Sequence, residues 1–175
     1  MKKLLCFVAL ALLLVAGTLY AQTVTISISG KSSGVGPNEN VSVVLAAKGV
    51  PADTYGFEAD IEYDAAAVEF VSFAASSSFP AGLPATTGTG KVTVAAGAFS
   101  AVSGDLTLGT ATFKTSASFA ATQQTAFKAT RINFGANDIP LTGVAVSLNV
   151  GPPLVKVTIA PKTATLATGG TKQFT

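Results

Sequence analysis

Residues 55–64 read Tyr-Gly-Phe-Glu-Ala-Asp-Ile-Glu-Tyr-Asp. Tyr55, Phe57, Ala59, Ile61 and Tyr63 share one parity, and Gly56, Glu58, Asp60, Glu62 and Asp64 share the other. Side chains alternate across a strand, so this period predicts a β-strand with one apolar and one acidic face. The apolar face must meet a core; the acidic face must meet water, an ion or a partner. The same alternation recurs along the chain. It predicts strands over Thr23–Ser29, Val41–Ala47, Val68–Ala75, Lys91–Ala98, Leu106–Thr115, Thr125–Ile132 and Gly143–Val150. Gly34–Asn40 and the Ser-, Pro-, Gly- and Thr-rich stretch Ser76–Gly90 are read as loops. Asp64–Ala67 is read as a single helical turn. About eight short strands with regular turn signals and no sustained helical period indicate an all-β fold, an antiparallel β-sandwich.

The first 21 residues fall outside that pattern. A basic Met-Lys-Lys start, an apolar run from Leu4 to Ala16 and Leu19-Tyr20-Ala21 before Gln22 predict a secretory signal peptide, hence a secreted, extracellular protein. The run is short for a bilayer span, and no membrane span is expected in the mature chain. The single cysteine, Cys6, lies in this segment, so no mature thiol is expected. Without Lys2 and Lys3 the eleven basic residues fall to nine, equal to the nine acidic ones. A chain so balanced carries no electrostatic footprint for nucleic acid or an anionic membrane. Residues 22–151 are enough for one core. Gly151-Pro-Pro153 reads as a linker, so 152–175 is set apart as linker plus a fresh strand–turn–strand too short to bury a core of its own.

Catalysis is disfavoured, and the chain is read as no enzyme. It has no histidine, which removes the commonest general base, metal ligand and triad member. Glycoside hydrolysis would need two carboxyls facing each other across a cleft, whereas Glu58, Asp60 and Glu62 are expected side by side on a flat face. Like charges about 7 Å apart in water repel by only about 0.6 kcal/mol, so the acidic stripe demands no function of itself. Calcium is disfavoured because carboxylates alternating along a rigid strand do not converge like a liganding loop; no cofactor is expected. A solvated face and a protein-docking face both remain open.

The order of several pieces resembles the cohesin family, modules that bind dockerin domains in extracellular polysaccharide-degrading assemblies. These pieces are the Pro-Asn-Glu-Asn turn into Val41-Ser-Val-Val-Leu45, Gly49-Val-Pro51, the Tyr55–Asp64 strand ending in Tyr-Asp, and Val68-Glu-Phe70. Gly109-Thr-Ala-Thr-Phe113 and the Phe134-Gly-Ala-Asn-Asp138 loop follow in sequence. The resemblance covers about residues 23–151. It implies a nine-stranded jelly-roll sandwich whose dockerin-type partner docks on an exposed sheet face containing the 55–64 strand. Where many cohesins have Asn-x-Asp upstream of Tyr-Asp, this chain has Gly56 and Glu58, keeping the carboxylate and lacking the amide. Residues 155–175 resemble the opening of a bacterial group 2 immunoglobulin-like domain.

The function so implied is non-catalytic docking in a polysaccharide-binding or -degrading setting, through Glu58, Asp60 and Glu62. If the neighbouring strand is 106–115, as the resemblance suggests, Thr110, Thr112 and Lys114 share that face. The contact set is therefore Glu58, Asp60, Glu62, Thr112 and Lys114. The alternatives are a polysaccharide-binding module and a structural spacer or adhesion domain. Sugar stacking ordinarily needs exposed Trp or Tyr. There is no Trp, and Tyr55 and Tyr63 fall on the apolar parity, expected to be core along with Phe57, Phe113 and Phe127. Phe79 and Phe99 are the remaining candidates for exposed stacking, and Arg131 with Asn133 and Asp138 is read as a local ion-paired loop.

Overall fold

Alternating apolar and polar residues set the long strands of the fold. In β1 (Thr23–Ser29) and the start of β2 (Asn40–Glu62), Val24, Ile26, Val41, Val43 and Leu45 are buried between exposed or half-buried neighbours. The computed structural model describes residues 22–119, 124–135, 137–141 and 144–149. The segments read as a signal peptide (1–21) and as linker with the start of an immunoglobulin-like domain (152–175) lie outside the described residues. The remaining strands are β3 (Val68–Ala75), β4 (Ala81–Gly82), β5 (Thr86–Gly88), β6 (Lys91–Thr115), β7 (Gln124–Phe134), β8 (Asn137–Pro140) and β9 (Ala145–Asn149). No described helix is long and apolar enough to cross a membrane.

All strand pairs are antiparallel, and one hydrogen-bonded network joins the nine strands. It folds over on itself because β2 and β6 each run through both layers. In the first layer, β2 residues 40–47 lie between β1 and β6 residues 106–114, with β3 on the far side of β6. In the second, β2 residues 56–62 lie between β6 residues 91–97 and β7 residues 128–133. β4 and β5 extend that layer beyond β6, and β8 extends it beyond β7. The strand pairs expected separately at 41–47 and 55–64, and at 91–98 and 106–115, are thus single bent strands. Register shifts between Leu45 and Gly56, with positive φ at Gly49 (66°) and Asp53 (67°), make the bend. The stretch 76–90 contains the short β4 and β5, and Asp64–Ala67 forms the single turn expected of it, with Val68 N donating to Asp64 O at 2.9 Å.

The core lies between the layers. Phe113 meets Phe127 at 4.7 Å, Tyr63 at 5.1 Å and Phe70 at 5.7 Å between ring centroids. Phe57 meets Phe79 at 4.9 Å and Phe73 at 6.2 Å. Phe79 is therefore fully buried and unavailable for stacking a sugar. Phe57, Phe113 and Phe127 face inward as their parity predicts. Thr115 ties the Pro-Asn-Glu-Asn turn to this core: its hydroxyl donates to Gly36 O at 2.7 Å and accepts from Glu39 N at 2.9 Å.

Gly109 explains one of the more telling sequence pieces. A Cβ at this buried position would lie 2.3 Å from Phe73 Cζ and 2.6 Å from Ala74 O, so the Phe73 ring packs directly on bare backbone. Replacing glycine with alanine gains about 0.4–1 kcal/mol from the unfolded chain, whereas overpacking costs about 1–3 kcal/mol. Gly109→Ala is accordingly expected to lower the urea unfolding midpoint. A compensating Phe73→Leu should restore only part of the loss, since the Ala74 carbonyl stays in place.

Candidate docking face

The acidic half of β2 sits at the centre of the second layer, with a strand on each side. Register fixes its neighbours. Glu58 lies between Ala95 and Asn133, Asp60 between Thr93 and Arg131, and Glu62 between Lys91 and Lys128. Thr130 is an extra residue at the shift between Asp60 and Ile61. It lets exposed Lys128 and half-buried Arg131 stand on the outer side while Ala129 and Ile132 stay buried. Three carboxylates and three cations are thus interleaved on one open sheet face.

Their charges are largely spent on one another. Asp60 is only 4% exposed. Its Oδ1 accepts from Thr93 Oγ1 at 2.7 Å; its Oδ2 accepts from Arg131 Nε at 3.0 Å and Lys91 Nζ at 2.8 Å. Arg131 Nη2 also reaches Glu58 Oε1, so one guanidinium bridges two carboxylates of the same strand. Burial is the largest single influence on Asp60 and pushes its pKa up. The hydrogen bonds from Arg131, Lys91 and Thr93, with the Arg131 charge, together outweigh it and hold the carboxyl at about 2, below the usual 3.8.

The expected contact residues separate accordingly. Glu58 and Glu62 are exposed on this face, whereas Asp60 lies beneath its cationic partners and offers a docking partner little surface. Thr112 and Lys114 are elsewhere. They belong to the first layer, where β6 pairs with Ser42 and Asn40 of β2 and with Ser72 and Glu69 of β3. The expected neighbour was wrong because β2 changes layers: its acidic half pairs with residues 91–97, not 106–115. Arg131, read as part of a local loop, stands on β7 and pairs across strands. Lys91, Thr93, Ala95 and Lys128 were missed as members of the face; the alternation of 91–97 placed the first three on one side of a strand, and that of 125–132 placed Lys128 on another, but neither gave a neighbour.

Tyr55 also departs from its parity. It is 59% exposed while Thr54 is buried, because the register shift between Thr54 and Gly56 spans Tyr55 and interrupts the alternation there. Gly56 stands where many cohesins carry Asn, and a Cβ there would lie 3.0 Å from Ala96 O, so the close crossing of β2 and β6 favours the bare backbone. Two shallow clefts flank Tyr63. One, of about 430 Å³, is lined by Glu69, Lys114 and Thr115; the other, of about 470 Å³, by Glu62, Asp64 and Lys128. Among the described residues no three of His, Cys, Asp and Glu are grouped to hold a metal ion.

The described strands thus form a nine-stranded antiparallel jelly-roll sandwich with an open, charge-interleaved sheet face. The model of the cohesin domain matches residues 24–150, and the chain belongs to the cohesin domain family. Among solved structures it is similar to the cohesin module of a family 33 glycoside hydrolase from Clostridium perfringens. The identity is 14%, with 75% of this chain and 98% of that one covered at a TM-score of 0.59. It is similar also to the sixth cohesin of Acetivibrio cellulolyticus scaffoldin B, solved with a mutant Cel5 dockerin. Here the identity is 18%, the coverage 73% and 98%, and the TM-score 0.57. A Clostridium thermocellum cohesin in complex with a dockerin matches at 17% identity, 71% and 96% coverage and a TM-score of 0.51. No curated protein matches the sequence.

The Asp60 cluster makes a signed prediction. Because the folded pKa is depressed, the ionised carboxylate stabilises the fold above about pH 4, and that contribution is lost as pH falls through about 2. A shift of this size corresponds to about 2 kcal/mol. In urea unfolding between about pH 5 and 2, the native chain should lose about 2 kcal/mol more than Asp60→Asn. At neutral pH Asp60→Asn should be the less stable of the two, because Arg131 and Lys91 lose a charged partner. Parallel pH profiles for the two chains would contradict this assignment.

Proposed function

We propose that this chain is a non-catalytic docking module that binds a dockerin-type protein domain through the outer face of its second layer. The supporting observation is the open surface carrying Glu58, Glu62, Lys91, Ala95, Lys128 and Arg131 on a member of the cohesin family. Two of the similar cohesins were solved in complex with dockerins. Residues 1–21 act as a signal peptide in this reading, and the module works outside the cell in a polysaccharide-binding or -degrading setting. Residues 152–175 lead into an immunoglobulin-like spacer.

Docking on this face has specific consequences. Glu58 and Glu62 remain contact residues, while Asp60 acts by holding Arg131 and Lys91 in place. A flat, rigid sheet presents these groups with little reorganisation, which lowers the entropic cost of association. The face is balanced in charge, so the partner is recognised by the pattern of charges more than by their sum.

The test is capture of the chain by a panel of immobilised dockerin modules that includes the Acetivibrio cellulolyticus Cel5 dockerin. At least one should bind. Ala95→Glu and the pair Glu62→Lys with Lys128→Glu should weaken it at least about tenfold without shifting the unfolding midpoint. Thr112→Arg, on the opposite layer, should leave it unchanged. Loss of binding with Thr112→Arg alone would move the site to the other sheet; failure of every dockerin to bind would reject the reading.

A further inference from the structure

Thr125 is 5% exposed, and its hydroxyl has no hydrogen-bond partner among the described residues. A buried polar group left in that state costs stability, and in a native structure it calls for a physical reason. On the core side nothing answers it. Phe127, next on the same side of β7, and Leu148, opposite on β9, are fully buried and apolar. Thr125 also lines the cleft of about 470 Å³ beside Tyr63, so a partner for the hydroxyl has to enter from there.

Three segments build that cleft at one end of the sandwich. β2 supplies Glu62 and the Tyr63-Asp64 pair after it, the turn before β6 supplies Gly90, and β7 supplies Gln124 and Lys128. Tyr63 N donates to Gly90 O at 2.8 Å, and a Cβ on Gly90 would lie 2.9 Å from Tyr63 O, so the turn meets β2 as bare backbone. Asp64 Oδ1 accepts from Ala66 N at 2.9 Å, which orients the carboxylate. No hydrogen bond or ion pair among the described residues holds the side chains of Glu62, Gln124 or Lys128. Of the charged groups of this layer, Glu62 and Lys128 are therefore ready to bind something else.

We propose that this cleft binds a neutral pyranose sugar, free or at the end of a glycan chain. The set of donors and acceptors selects that class. A metal cation would meet Lys128, and no three acidic side chains converge to hold it. An anion would meet Glu62 and Asp64. An apolar group would strip water from three charges and return no hydrogen bond. A sugar hydroxyl both donates and accepts, and the cleft offers both kinds of partner. Glu62 and Asp64 accept, Lys128 and Gln124 donate, and the Thr125 hydroxyl does either. The half-buried Tyr63 ring walls one side, and the volume lies within the range of about 300–1,000 Å³ usual for small-molecule sites. Recognition here is by hydrogen bonds to a single ring, not by stacking along a flat aromatic surface. The proposal goes beyond docking and needs no dockerin, although Glu62 and Lys128 border both sites.

The experiment titrates the full chain with glucose, xylose, N-acetylglucosamine, cellotetraose and xylotetraose to about 20 mM, read by calorimetry and by amide chemical shifts. At least one should bind with a dissociation constant of about 1 mM or tighter, with shifts at 62–64, 89–90 and 124–128. Equal affinity for a sugar and its tetraose marks a single-ring site and tighter binding of the tetraose marks a glycan end; both support the proposal. Thr125→Val should leave the ligand-free unfolding midpoint unchanged or raise it, yet weaken the sugar about tenfold. A hydroxyl of purely structural consequence would not alter binding. Glu62→Gln should also weaken it about tenfold, while Glu69→Gln, in the cleft on the other side of Tyr63, should leave it unchanged. The proposal is overturned if no sugar binds, or if a sugar binds native, Thr125→Val and Glu62→Gln chains equally well. Calcium chloride that raises the native unfolding midpoint but not that of Glu62→Gln would make the occupant a cation and overturn it too. Each of these failures leaves the docking reading standing, because only dockerin capture tests that.

Discussion

Strands β2 and β6 pair with each other in both layers of the sandwich, from Asn40↔Lys114 at one end to Glu62↔Lys91 at the other. This shared ladder is the constraint on which the rest of the molecule depends. Each strand gives one half to each sheet, so the layers are joined by continuous backbone at the corner and need few separate connections there. The corner works because it tolerates irregular pairing. Gly49 and Asp53 take up positive φ, and Gly56 and Gly97 let the backbones approach. A regular ladder of that length would stay one twisted sheet with an unburied apolar side.

The same corner builds the functional surface. As β2 leaves it, Tyr55 is turned out, and Glu58, Asp60 and Glu62 then alternate down the middle of the second layer. A central strand has two neighbours, and here both bring cations. The stripe consequently becomes a locked mosaic, with Asp60 as its buried node. Such a node contributes less net stability than its short contacts suggest, because desolvation offsets much of the attraction. Its larger effect is geometric: Arg131 and Lys91 are held in fixed positions on the face.

Most of the fold was legible in the sequence. The two-residue period located the principal strands, and the inward placement of Phe57, Phe113 and Phe127 followed from it. The face was only half legible. Period shows which residues share a side of one strand, but pairing partners are chosen by packing far along the chain. Thr112 and Lys114 were therefore assigned beside the acidic stripe when Lys91 and Thr93 hold that place. Tyr55 was misassigned because one register shift reverses parity, and a bulge has no reliable signature in an isolated strand. Phe79, in a segment of loop composition, is buried because the turn before β4 carries it onto Phe57.

By itself the sequence determined that the chain would form an all-β sandwich, where its principal strands would fall and which side of most of them would be apolar. These are local properties, written in alternation and turn chemistry. Tertiary structure decided that the acidic stripe would be neutralised, that Asp60 would be buried and that Tyr55 and Phe99 would be left uncovered. Those outcomes depend on which strands become neighbours and where the ladder slips. The physical reason is that burial and charge pairing belong to contacts between segments 30 to 75 residues apart, as from Asp60 to Thr93 and Arg131 and from Glu58 to Asn133.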